Sequence, residues 1–146
     1  GVSGGSELSA YIRKTDGSSV KKIADASAIA LSPDGKQILL RFLSPHIHLA
    51  LFSLDDEKIK PLENDSEQPL IIDVFCSFFP DGKRIIFTAN EADGERYVYI
   101  QNVDGGKPVR LAHDKKFKMS FKYSVSPNGK FVILLDSEDR LVLYQV

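Results

Sequence analysis

Several groups of residues in this chain have types and spacings that could do chemistry. Gly1-Val2-Ser3-Gly4-Gly5 matches G-x-S-x-G, the pattern in which a strained strand-to-helix turn exposes a nucleophilic serine. No strand precedes the segment in this sequence and no helical period follows it, so Ser3 is expected to be inert. Residues 1–7 read instead as a flexible linker or an expression scar. His46 and His48 form an H-x-H pair after Ser44-Pro45. On a strand both would point to one face, but a metal site needs further ligands. His113 lies far along the chain, and spacing fixes no carboxylate beside the pair. No metal is expected there; the two histidines are expected as polar residues of a binding-face loop.

Lys115, Lys116, Lys118 and Lys122 interleave with Phe117 and Phe121, the one basic-aromatic stretch. The corresponding stretch upstream carries Glu63, Asp65, Glu67 and Asp73. Opposed charge on neighbouring loops reads as a mixed surface that can steer a protein partner. His46, His48, Lys115 and Lys116 are therefore the candidate binding-face residues. Cys76, between Phe75 and Phe78, reads as a core thiol with no histidine to activate it. Glu95-Arg96 and Glu138-Asp139-Arg140 read as soluble hairpin tips. The sequence contains no phosphate-cradling glycine loop, calcium-loop spacing or paired carboxylates, so no catalytic residue and no cofactor is expected.

What must position these residues is a repeat. Leu31-Ser32-Pro33-Asp34-Gly35-Lys36, Phe79-Pro80-Asp81-Gly82-Lys83 and Val125-Ser126-Pro127-Asn128-Gly129-Lys130 put their prolines at 33, 80 and 127, two equal steps of 47. Tyr11-Ile12-Arg13-Lys14-Thr15-Asp16-Gly17 also aligns without a gap on Tyr99-Ile100-Gln101-Asn102-Val103-Asp104-Gly105. Proline presets φ, Asp or Asn tolerates the next position and glycine supplies a positive φ, so each motif is a turn. Asn128 in place of Asp suits a turn and not a catalytic carboxylate.

Strand-like runs follow each turn: 37–42, 84–88 and 131–135, then 48–52, 97–100 and 141–144. Their continuous hydrophobicity predicts strands covered on both faces. Weaker outer strands are expected around 58–62 and 108–111, where Pro108 suits an edge. Four short strands per 47 residues is a β-propeller blade. The chain divides into a partial blade 8–26, blades 27–66 and 67–114, and a partial blade 115–146. The expected class is all-β, a partial or half propeller of roughly three blades.

The Ser-Pro-Asp-Gly-Lys turns, the apolar strands and Tyr-Ile…Asp-Gly-Gly-Lys-Pro…Arg-Leu resemble the TolB-type, WD-like propeller repeat over about residues 8–146. Phe78 is read at a usual serine position, and Trp is absent. The resemblance implies a non-catalytic module that binds a protein, peptide or ligand within a larger bacterial protein such as a sensor or adaptor. It implies a periplasmic or extracytoplasmic setting. The alternative is the propeller portion of a peptidase or hydrolase whose catalytic domain lies elsewhere.

Nineteen basic against twenty acidic residues leave a net charge of −1, which removes the electrostatic case for nucleic acid. No apolar run reaches the roughly 20 residues of a membrane-spanning helix, so no direct membrane insertion is expected. About three repeats fall short of the roughly 4–8 blades of a closed propeller. The expected partners are therefore the remainder of a larger propeller or a second copy in a homodimer.

Overall fold

The turns close as their chemistry dictates. In the computed structural model, which describes residues 8–67, 69–111, 123–136 and 138–146, Gly35, Gly82 and Gly129 donate their N–H groups to Ser32, Phe79 and Ser126 at 2.8–2.9 Å. These glycines take φ of +72°, +66° and +66°, a region that costs an L side chain about 1–2 kcal/mol. Oδ1 of Asp34, Asp81 and Asn128 accepts the N–H two residues on, at 3.0, 2.8 and 3.0 Å. A carboxylate and an amide do the same work there. The hydrogen-bond register also corrects one reading of the sequence. Phe79, not Phe78, stands where Ser32 and Ser126 stand, since all three N–H groups bond the carbonyl five residues on.

Each turn launches a meander. β1 (Ala10–Ile12) and β2 (Lys21–Ala24) form a two-stranded sheet. β3 (Ser27–Leu31), β4 (Gln37–Phe42), β5 (His48–Ser53) and β6 (Ile59–Pro61) form a four-stranded sheet in chain order. β7 (Ile71–Phe78), β8 (Arg84–Asn90), β9 (Arg96–Asn102) and β10 (Val109–Leu111) repeat it, and β11 (Tyr123–Val125), β12 (Phe131–Leu135) and β13 (Leu141–Gln145) form a three-stranded sheet. Every pairing is antiparallel. The result is all-β, with successive sheets stacked as the blades of a partial propeller.

The core lies between the sheets. Leu39, Leu49 and Leu51 of the β3–β6 sheet bury against Cys76, Ile85, Phe87, Tyr97 and Tyr99 of the β7–β10 sheet. On the other face of β8 and β9, Ile86 and Val98 bury against Val132 and Leu134. Strands β5 and β8 are thus covered on both faces, as their continuous apolar runs predict. The reading fails for β13, whose exposure alternates along the strand. Cross-strand register explains why. Leu39 pairs with Leu51, Ile86 with Ile100 and Ile133 with Leu143, three copies of one position 47 residues apart. Leu51 is 5% exposed and Leu143 64%; the neighbouring copies Leu49 and Val98 are 1% and 2% exposed, and Leu141 71%. Among the described residues no further sheet lies over Leu141 and Leu143.

Successive turns also touch. Arg84 sets its guanidinium 4.2 Å from the Phe79 ring centroid and donates from Nη2 to the Gly129 carbonyl at 3.1 Å. A side chain at Gly129 would meet Arg84 at 3.3 Å.

Candidate functional site

Antiparallel alternation sends the β4–β5 loop and the β6–β7 connection to one end of their sheet, and the Pro-Asp-Gly and β5–β6 turns to the other. The histidines lie at the loop end. His46 is in the β4–β5 loop and exposed; His48 is the first residue of β5 and half-buried. Their ring centroids are 5.2 Å apart, tilted by 45°. His48 also stacks on Phe42, its cross-strand partner, at 4.9 Å and 5°. His48 Nδ1 sits 3.0 Å from the His46 carbonyl, which can only accept, so Nδ1 is the donor in this contact. Among the described residues no group of three or more His, Cys, Asp and Glu is placed to hold a metal.

Beside the pair is an open cleft of about 1040 Å³. One wall is His46–Leu49; the other is Pro61–Asn64, Ser66, Glu67 and Pro69–Ile72, from the end of β6 to the start of β7. Leu49, Leu62 and Ile72 are buried in the adjoining core, with Ile47 and Leu70 packed against it. Among the described residues the lining holds two carboxylates, Glu63 and Glu67, and no lysine or arginine. Glu67 pairs with Lys107 at 2.7 Å, and both are well exposed; the lysine holds the Glu67 carboxyl below its usual range. The Glu63 carbonyl accepts from Gln101, a buried side chain of β9 that also donates to Gly106. The connection is thereby tied to the next sheet.

The β8–β9 hairpin, at the same end of its own sheet, carries a polar network. Tyr97 donates to Asp93 at 2.9 Å and Tyr99 donates to Glu91. Arg110 lies 3.3 Å from the Tyr97 ring centroid and 3.5 Å from Glu91. Burial, then the Asp93 and Glu91 acceptors, pushes both phenols above their usual range. They stay protonated donors and are unsuited to act as bases.

Two hairpin tips do more than keep the surface soluble. Arg96 forms an ion pair with Asp73 of β7 at 2.9 Å, with both side chains about four-fifths buried. Arg140 binds the buried Asp136 carboxylate through Nε and Nη2, each at 2.9 Å, while Asp136 Oδ1 accepts the N–H groups of Glu138 and Arg140. Neither role is visible in the sequence, because Asp73 and Asp136 look like any other acidic residues. Cys76 is buried, and burial pushes its thiol up to about 12, which removes it as a nucleophile. Lys115 and Lys116 lie outside the described residues, as do His113, Lys118 and Lys122.

No family model matches this sequence, and none of the curated proteins matches it. Solved structures do. TolB from Acinetobacter baumannii is similar with a TM-score of 0.65 and 21% identity, over 93% of this chain and 35% of that one. A putative TolB from Agrobacterium tumefaciens gives 0.61 and 20%, over 86% of this chain and 45% of that one. A putative 6-phosphogluconolactonase from Bacteroides uniformis ATCC 8492 gives 0.50 and 16%, over 92% and 43%. The chain spans less than half the length of each of these. At such identities the likeness speaks for the fold. Together with the stacked antiparallel sheets and the 47-residue turn repeat, it identifies this chain as having a TolB-like β-propeller fold.

Proposed function

We propose that the chain is a sector of a larger TolB-like propeller and acts as a non-catalytic module whose loop end receives a segment of a protein or peptide partner. The observation that carries this reading is the loop-end cleft. It is mostly apolar, has a few polar groups at its edge, and is bounded by two complete four-stranded sheets, the make-up expected of a ligand cleft. His46 and His48 stand on its edge, and the segment with Lys115 and Lys116 is the corresponding connection one repeat on. Open apolar sheet faces at β12–β13 support the sector reading. They would pack on the remainder of a propeller or, in its absence, on a second copy. The periplasm is the proposed compartment, by analogy with the TolB resemblance.

Peptides selected from a random display library on this chain should shift the amide resonances of residues 46–49 and 62–72. Selected peptides that leave those residues unmoved would refute the cleft as the receiving site. The likeness to a putative 6-phosphogluconolactonase favours a second, enzymatic reading. Turnover of a lactone or ester panel that vanishes on substitution of His46 would replace the binding reading with that one.

A further inference from the structure

We infer that the cleft takes a peptide segment in which an aliphatic side chain is flanked by cationic ones. This rests on the binding reading above and specifies the chemistry of the ligand.

The floor decides the first half. Ile47, Leu49, Leu62, Leu70 and Ile72 come from two sheets and the connection between them. Leu49, Leu62 and Ile72 are already buried, while Ile47 and Leu70 are half-buried and Ile71 of the same lining is exposed, so an inserted aliphatic group would take the open parts of these last three out of water. The rim decides the second half. Glu63 and Glu67 line the cleft, and Asp65 lies between them in the chain, exposed. Among the described residues one cation answers them, Lys107 on Glu67, and that pair is exposed enough for an arriving cation to share or replace it. An anionic segment would meet Glu63 and Asp65, which no cation among the described residues pairs, so the rim rejects one charge sign as well as attracting the other.

A second cleft, of about 530 Å³, sharpens the assignment by contrast. It lies at the turn end and is lined by Arg13, Lys14, Lys21 and Lys22 with one carboxylate, Glu57, which is bonded to Lys21 at 2.5 Å. Its polarity is the reverse. One side of it is the two-stranded sheet of β1 and β2, so its shape depends on whatever strands join that sheet. The loop-end cleft has a complete sheet on each side and is already formed.

Fluorescence anisotropy with three labelled peptides of equal length tests this: leucine among arginines, leucine among glutamates, and serine among the same arginines. Binding is expected for the first alone, with at least tenfold loss for the other two. It should weaken severalfold between 50 and 500 mM salt, because exposed ion pairs are screened. The double variant E63Q/E67Q should weaken the first peptide at least fivefold with an unchanged melting temperature, since both side chains are exposed. Equal binding of all three peptides, or salt-insensitive binding, overturns the charge assignment and leaves the binding reading standing. Binding of none of them overturns the ligand assignment, and the library selection then decides the broader reading separately.

Discussion

The β7–β10 and β11–β13 sheets carry copies of the same turn and the same kind of residue at the same register, yet among the described residues one is closed on both faces and the other on one. Ile86 and Ile133 are 47 residues apart and occupy equivalent positions on β8 and β12. Ile86 is wholly buried against Val132 and Leu134, while Ile133 is half-buried beside the exposed Leu143. Residue type is therefore a poor guide to burial here. What buries an apolar position is the presence of a following repeat, because each sheet presents a second apolar face that it cannot cover alone.

Substitution breaks the equivalence most plainly. Ile86→Ala should cost about 2–5 kcal/mol, the range for a large aliphatic truncated in a packed core. Ile133→Ala should cost less than half of that, because its cavity opens to solvent. Urea denaturation of both variants checks it. Equal losses would mean that the outer face of β12 is covered after all.

The contact between turns gives the next largest effect. Arg84 joins the closed interface by its stacking on Phe79 and its bond to the Gly129 carbonyl. Arg84→Ala should cost about 1–2 kcal/mol, and Arg84→Lys should recover little of it, since a point charge cannot stack and reach the carbonyl together. Full rescue by lysine would show that charge alone matters there.

The open face itself should respond in surface behaviour before stability. Leu141→Lys with Leu143→Lys removes two leucines that are mostly in water, so the urea midpoint should move by no more than about 0.5 kcal/mol equivalent. Binding of a hydrophobic dye should fall severalfold, and any concentration-dependent mass in light scattering should fall with it. A large loss of stability instead would mean that those leucines are buried in the folded chain, for example by a second copy.

The strands launched by the turns are the legible part of this fold, in the closed sheets and the open one alike. Gln37–Phe42 and Phe131–Leu135 follow from turn plus apolar run and form strands with those bounds. β7 did not announce itself, because Asp73 interrupts its apolar run and its register shifts between Ile72 and Cys76. Of the site, the histidine pair could be read as a loop-end feature because its place in the repeat was known. The cleft floor could not. Leu62, Leu70 and Ile72 are ordinary apolar residues in sequence, and only the path of the β6–β7 connection sets them opposite Ile47 and Leu49. The roles of Arg96 and Arg140 are hidden in the sequence because their partners lie on strands or at strand ends that spacing does not reveal.

The three turns allow the finest test, since nature has already exchanged a carboxylate for an amide within one chain. Asp34 accepts from the Ser32 hydroxyl at 2.6 Å and the Lys36 N–H at 3.0 Å; Asn128 accepts from Ser126 and Lys130 at the same distances. The Ser32 hydroxyl first, and then the Lys36 amide, hold the Asp34 carboxyl below its ordinary range. A carboxyl with a depressed folded pKa contributes stability above its unfolded value of about 4 and loses it as the pH falls through the folded value. Asp34→Asn should therefore lower the urea midpoint slightly at pH 7, where the charge contributes, and flatten its decline below about pH 4. Asn128→Asp should do the reverse, raising the midpoint slightly at pH 7 and adding a decline in that window. If Asp34→Asn instead leaves both the neutral midpoint and the acid decline unchanged, the charge contributes nothing that the amide does not, and the turns are equivalent in energy as well as in geometry.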